Sequence, residues 1–466
     1  MLKIFHPNTY VKERKYIYNV VFKEWLGINY ASFNHDHSYT IIIVDEGNEK
    51  KEIIIDDILF STPKNNWLTK TSLPKLPLHH LNLSELSFKK NLFKLTLPLI
   101  YGNANSNISI NKNKININFD LFGSIFFMIS RYEEIVKQAF DSRERFYSKA
   151  SLCHDENFLH RPIVNEYLDI LWHCLMLLVP GIKRKKNAYN LFLTHDVDHP
   201  FSFDNKPLST ILKMTAGDLL KRKNIQLFSK RVGSFFLSKM GNDQYDPFNT
   251  FEFIMNESES NNVKSAFFFI SGHTAGTIDG YYDLDMPKIR QLMRRIHARG
   301  HEIGLHPSYN TFLSKENLKS EFDNLKRAAE SENIQQDRWG GRQHYLRWRA
   351  PETWQIWDDV GLNYDSTLSF ADYIGFRCGV CYDFPVFNLL TSTQLKLREI
   401  PLIVMEGSLL GEVYQNKQLS EAYTSIINIS DTVRHFNGTF TLLWHNNILT
   451  TEKHKRVYKE VIKYIS

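Results

Sequence analysis

Two periodicities divide the chain. In its first 180 residues, short β-branched runs at 39–44 and 52–58 flank Glu46-Gly47-Asn48, which predicts a hairpin. Asp120 is placed to cap a helix reaching Glu134, and Pro162 suits the first turn of another that runs to Val179. From Ala188 the pattern becomes apolar strands alternating with amphipathic helices, the mark of parallel α/β architecture. Strands are expected at 190–194, 265–270, 302–305, 346–349, 399–404 and 439–444. Helices are expected at 249–260, 288–299, 315–333 and 352–360, two of them stopped by Gly300 and Gly361.

The break between the two patterns is Pro180-Gly181 followed by four basic residues at 183–186, a helix stop leading into a solvated charge run. A chain of 466 residues exceeds what one core usually supports. The expected division is therefore an α+β accessory domain over 1–182 and a second domain over 187–466. An insertion at about 200–246 interrupts the second domain after its first strand. It is basic and amphipathic, and reads as a lid or as a subdomain packing on the N-terminal unit.

Charge narrows the function classes. The excess of 57 basic over 51 acidic residues is small and spread along the chain, unlike the concentrated face of a phosphate-tracking protein, so nucleic acid is not an expected partner. Four cysteines in so long a chain make no disulfide framework, and the N-terminus lacks a secretory pattern, so a cytoplasmic location is expected. The longest apolar stretches fall short of the roughly 18–20 residues that cross a bilayer, which leaves peripheral membrane association open. Cys378 and Cys381 have the spacing of half a zinc site, but no second pair stands nearby, and they read as small buried or loop thiols.

Chemistry gathers where the predicted strands end, as it does in βα folds. The segment 191–200 delivers Asp196 and Asp198 with two imidazoles, and an extended backbone points both carboxylates the same way. The segment 300–310 ends a strand at His306, with Asn310 able to add an oxygen, and an imidazole with a nearby carboxylate suits Zn²⁺ or a similar ion. Arg347 and Arg349 bring guanidinium groups that can hold a carboxylate ionised, and the strand at 439–444 exposes His445 as it ends. Each motif alone has a plainer reading. An Asp-x-Asp is often a turn or cap, His306 or His445 can be a satisfied strand-end histidine, and His301 is expected to face the helix cap.

Taken together and in this order, the motifs resemble those of the polysaccharide deacetylases. Thr194-His195-Asp196 resembles the opening of that family's first motif, which implies that Asp196 is the general base. His306 matches the first histidine of its second motif, and Arg349-Ala350-Pro351 matches its Arg-x-Pro motif, with Arg349 orienting the base. Asp365 in Tyr364-Asp365-Ser366 resembles the acidic residue of the fourth motif, and His445 the general acid of the fifth. Two positions depart from the pattern. Val197 stands where the metal-binding carboxylate follows the base, so metal binding shifts to Asp198, and Asn310 replaces the second metal histidine. The resemblance implies a distorted (β/α) barrel preceded by a smaller α+β domain, a divalent ion with zinc favoured, and hydrolysis of acetyl groups on a sugar of a polysaccharide or its precursor. Two alternatives stay open. One is a glycan-binding or scaffold protein on the same fold with weak or no catalysis, and the other is a hydrolase of another non-peptide carbon–nitrogen bond.

Overall fold

The structure is a computed structural model that describes residues 2–46, 49–203, 206–240 and 242–466. It is a mixed α/β protein. The first unit is built on strands β1 (Leu2–Pro7), β2 (Tyr30–His35), β3 (Tyr39–Glu46), β4 (Glu49–Asp56), β5 (His79–Asn82), β6 (Thr96–Leu99), β7 (Ile108–Ile110) and β8 (Lys114–Ile117). Six of these form a sheet in the order β2-β1-β3-β4-β8-β7, while β5 and β6 pair separately. The β3–β4 hairpin forms as the alternation predicts, its turn at residues 47–48 lying outside the described residues.

Asp120 caps the helix Leu121–Ile129 by accepting from the Gly123 amide at 2.6 Å. That helix stops short of Glu134, because Arg131 adopts a left-handed backbone (φ 56°) and a new helix begins at Tyr132. The interruption turns the Arg131 guanidinium inward, where it is held by Glu134 and by the carbonyls of Met128 and Arg377. Glu134 in turn takes two bonds from Arg377, so a buried ion network ties the two units together. Tyr16 and Trp25 add hydrogen bonds to the carbonyls of Pro385 and Asp383.

The second sheet has nine strands: β9 (Asn190–Val197), β10 (Ser265–Phe269), β11 (Glu302–Leu305), β12 (Gly340–Gly341), β13 (Tyr364–Asp365), β14 (Phe384–Asn388), β15 (Thr393–Glu399), β16 (Val404–Met405) and β17 (Thr439–Leu443). Their order is β14-β15-β13-β12-β11-β10-β9-β17-β16, parallel throughout except for the β14/β15 pair. Among the described residues no ladder joins the two edges, so the expected barrel is not closed by hydrogen bonding. Four residues carry the chain from Glu399 on β15 to Val404 on β16, a reach of at most roughly 18 Å, so the sheet is strongly curled.

Two expected strands differ. The run at 399–404 splits into the end of β15 and the start of β16. The strand expected at 346–349 is instead Gly340–Gly341, and 344–346 is a single 3₁₀ turn. Glycine is required there because the sheet packs on itself: a Cβ on Gly341 would lie 1.8 Å from the Leu305 carbonyl oxygen, and one on Gly340 would lie 2.3 Å from the Tyr364 ring. The insertion forms two helices, Leu208–Leu220 and Ile225–Lys239, which pack mainly on each other rather than on the N-terminal unit. No helix among the described residues is long and apolar enough to cross a membrane.

Candidate active site

Six chemically active side chains meet at the C-terminal edge of the nine-stranded sheet. Asp196 lies in β9 and Asp198 just beyond it. His306 follows β11, His344 follows β12, Glu406 follows β16 and His445 follows β17. Because alternate residues of a strand face opposite ways, Asp196 and Asp198 both line one cavity, whereas His195 turns away and bonds the Trp444 carbonyl at 2.6 Å. Burial pushes His195 down to about 3, which keeps it neutral.

The two carboxylates have different surroundings. Asp196 is buried and its Oδ1 accepts from Arg342 Nη1 at 2.9 Å, the same guanidinium reaching Thr194 Oγ1 at 2.9 Å. Asp198 sits among three imidazoles, its Oδ1 3.1 Å from His306 Nε2 and 3.8 Å from His344 Nε2, and its Oδ2 3.7 Å from His445 Nε2. Burial opposes its charge, but His344, His306 and His445 outweigh burial and hold the carboxyl well below the usual range. Burial likewise opposes charge on His306, while Asp196 and Asp198 raise it above its ordinary value.

Asp198, His306 and His344 can hold a divalent ion, since one ligand atom from each falls within 4.8 Å of the others. Two observations fit that use. Asp198 Oδ1 is buried without a hydrogen-bond partner. Both imidazoles donate from Nδ1, His306 to the Arg342 carbonyl at 2.6 Å and His344 to Asp279 Oδ1 at 2.9 Å, which leaves each Nε2 lone pair facing Asp198. Asp279 is itself fixed by the amides of Ala275 and Tyr309, at 2.7 Å each.

Across the cavity His445 gives its Nδ1 proton to Glu406 Oε1 at 2.6 Å, so Nε2 faces Asp198. Burial works against a charged imidazole here, yet Glu406, with smaller help from Asp198 and Asp196, raises it to about 10. The cavity measures about 210 Å³ and is completed by Tyr345, Leu346, Met405, Tyr414 and one side chain from the first unit, Arg145. Arg145 donates to the Tyr345 carbonyl at 3.1 Å and to Tyr414 Oη at 3.3 Å, and pairs with Asp141. A larger space of about 710 Å³ opens at the other end of the sheet, where β9, β10 and β11 begin, away from these groups.

Of the residues singled out from the sequence, Asp196, Asp198, His306 and His445 come together. Arg349 does not reach Asp196: it lies over the rings of Phe140 and Phe312 with Glu144 3.6 Å away, and Arg342 occupies the position expected for it. Asn310 is turned out of the cavity by the 3₁₀ turn Thr311–Leu313, its amide bonding the Thr274 carbonyl and its oxygen accepting from Arg347, and the third group beside Asp198 is His344. Asp365 is wholly buried outside the cavity, accepting from the Thr367 amide beside its strand partner Glu399, and burial pushes it up to about 7. His301 lies away from the cavity, accepting from the Ser265 amide at the start of β10 with Glu259 3.3 Å away.

Arg342, His344, Glu406 and Arg145 were not legible as site residues. The only cue was Arg342-Gln343-His344 directly after a Gly-Gly pair.

Comparisons with known proteins match parts of the chain. Residues 2–180 match the model of a family of unknown function, DUF7033. Residues 115–298 match that of the Ku70/Ku80 N-terminal alpha/beta domain, a span that starts at β8 and ends after β10, crossing both sheets. Each covers less than half of the chain. No curated protein matches. Among solved structures, a protein described as a putative polysaccharide deacetylase from Mycobacterium smegmatis is 15% identical with a TM-score of 0.38, over 60% of this chain and 84% of its own. An allantoinase is 12% identical with a TM-score of 0.37, over 61% of this chain and 85% of its own.

Proposed function

We propose that the chain is a metal-dependent hydrolase that removes an acetyl group, carried on nitrogen, from a sugar of a polysaccharide or its precursor. The observation that carries this reading is the division of labour between two neighbouring carboxylates in one cavity. Asp196 is clamped by Arg342, and Asp198 holds a buried oxygen between two imidazole Nε2 atoms with no other partner. A pure binding or scaffold protein has no need to converge two imidazoles on one buried carboxylate oxygen, because burying that charge is costly. The order of strand-end motifs, which resembles that of the polysaccharide deacetylases, supports an acetylated sugar as substrate. In this reading residues 187–466 form the hydrolase unit and 1–182 an accessory unit that lends Arg145 to the cavity wall.

The ion would be held by Asp198, His306 and His344, a set with two imidazoles that suits zinc. When bound, it supplies Lewis acidity, polarising a carbonyl and making a water easier to deprotonate. Asp196, with Oδ1 held by Arg342, keeps Oδ2 to take a proton from the attacking water. His445, charged through Glu406, gives its Nε2 proton to the departing nitrogen as the carbon–nitrogen bond breaks. The products are acetate and a free amine. Arg145 and Tyr414 form the far wall and orient the sugar.

Acetate release from N-acetylated sugars by the purified chain, with zinc and other divalent ions added singly, tests the reading, with cyclic amides assayed in parallel. Metal-dependent acetate release that is lost in Asp196→Asn is the expected result. Ring opening of cyclic amides without acetate release would move the chain to another carbon–nitrogen hydrolase class.

A further inference from the structure

The insertion that follows Asp198 exposes most of its large apolar side chains. On the helix Leu208–Leu220, the exposed positions Leu208, Leu212, Ala216, Leu219 and Leu220 recur every three or four residues and so form one face. On Ile225–Lys239 the exposed face runs through Ile225, Ser229, Gly233 and Phe236 and continues to Met240. Leu208, Leu212, Leu220, Ile225, Phe236 and Met240 are each between 60% and 82% exposed. What the two helices bury is small and partly polar: Ile211 and Leu227 are the buried apolar side chains, and Asp218, fully buried, receives Arg231 at 2.5 Å. Leaving more large apolar side chains outside than inside, around a buried ion pair, departs from the order a helical hairpin takes in water alone.

Charge identifies the partner. Residues 206–240 contain eight lysines and arginines against a single acid, the buried Asp218. Lys213, Lys221, Lys223 and Lys230 are exposed beside the apolar stripes. Exposed apolar side chains edged with cations are the composition of an interfacial helix on anionic lipid. A second copy of the same surface would bring like charges together.

We infer that the helical hairpin 208–240 docks the protein on the surface of an anionic lipid membrane, its leucine and phenylalanine side chains entering the headgroup layer and its lysines meeting lipid phosphates. The position of the hairpin relative to the cavity gives the docking a use. Lys221, at the end of the first helix, lies 3.7 Å from Glu412, whose neighbour Val413 is 84% exposed. Tyr414, one residue on, lines the catalytic cavity. Docking therefore brings the cavity mouth close to the headgroups, where a sugar carried on a lipid is presented. Membrane docking stands whether or not the hydrolase reading does, whereas the lipid-carried substrate rests on that reading.

Sedimentation of the full chain with phosphatidylcholine vesicles, with and without phosphatidylglycerol, tests the docking without reference to activity. Binding is expected only when phosphatidylglycerol is present, and it weakens as salt is raised. Each cation near such a surface contributes about fivefold to partitioning, so Lys213→Gln, Lys221→Gln and Lys230→Gln together should reduce it by about a hundredfold. Leu212→Ser, Leu220→Ser and Phe236→Ser together should abolish it, and circular dichroism of both variants shows whether they remain folded, as changes at exposed positions should. Failure of the native chain to bind either vesicle overturns the inference, and so does undiminished binding by the folded variants. Concentration-dependent self-association without lipid, abolished by the Leu and Phe changes, also overturns it and assigns the face to a second copy.

Discussion

Glu406→Gln isolates the charge that, in the proposed reaction, makes His445 the acid. Gln is nearly isosteric and still offers an oxygen to the Nδ1–H, so the ring keeps its orientation while the carboxylate charge disappears. With Glu406 in place, burial is outweighed and His445 is raised from 6.5 to about 10, which at pH 8 leaves about 99% of the imidazole protonated. Without that charge burial has less opposition, the largest upward influence is gone, and the value falls. A fall to the ordinary value of 6.5 would leave about 3% protonated at pH 8, a loss of roughly thirtyfold in rate, and about three quarters at pH 6, a loss under about twofold. A cation beside Asp198 removes part of the upward push in both proteins, so the separation between their profiles is the informative quantity. The sign is fixed: an acid acts while protonated, so activity is lost as pH rises through the folded value, and the variant loses it at lower pH. Stability from this charge has the same sense, present in full below 6.5 and lost as pH rises towards 10. The assay is kcat/KM against pH for both proteins. A uniform fall at every pH, with the alkaline limb unmoved, refutes the coupling of His445 to Glu406.

Three further outcomes follow from the geometry. Asp196→Asn should lower kcat by about two to four orders of magnitude with metal content unchanged, while Asp198→Asn should lose metal and recover partly in excess ion, and metal titration beside activity separates the two. Asp279→Ala, which removes the acceptor of His344 Nδ1–H, should weaken metal affinity about 10- to 100-fold, whereas Asn310→Ala should leave it intact; competition with a chromogenic chelator measures both. Glu134→Ala strands the buried guanidiniums of Arg131 and Arg377 and should cost about 3–5 kcal/mol in urea unfolding, so an unchanged midpoint would show that the network contributes nothing to joining the two units.

The sequence by itself determined the parts of the site that follow a strand with a readable pattern. β9, β11 and β17 are apolar runs, and the residues that end them, Asp196 with Asp198, His306 and His445, stand where a strand's C-terminal edge must place them. The alternation of strands and helices likewise prescribed a largely parallel sheet. Tertiary structure decided the rest, for reasons of length and of distance along the chain. β12 and β16 are two residues long, too short for any periodicity, and Gly340–Gly341 carries no apolar signal because the neighbouring strands leave no room for a Cβ. The groups that follow them, Arg342, His344 and Glu406, were therefore hidden, although they hold Asp196, flank Asp198 and charge His445. Asn310 and Arg349 have suitable chemistry at suitable spacing, but a 3₁₀ turn and a pair of phenylalanine rings direct them elsewhere. Arg145 lies 200 residues from Tyr345, whose carbonyl it holds, and only the packing of one unit on the other could bring it to the cavity.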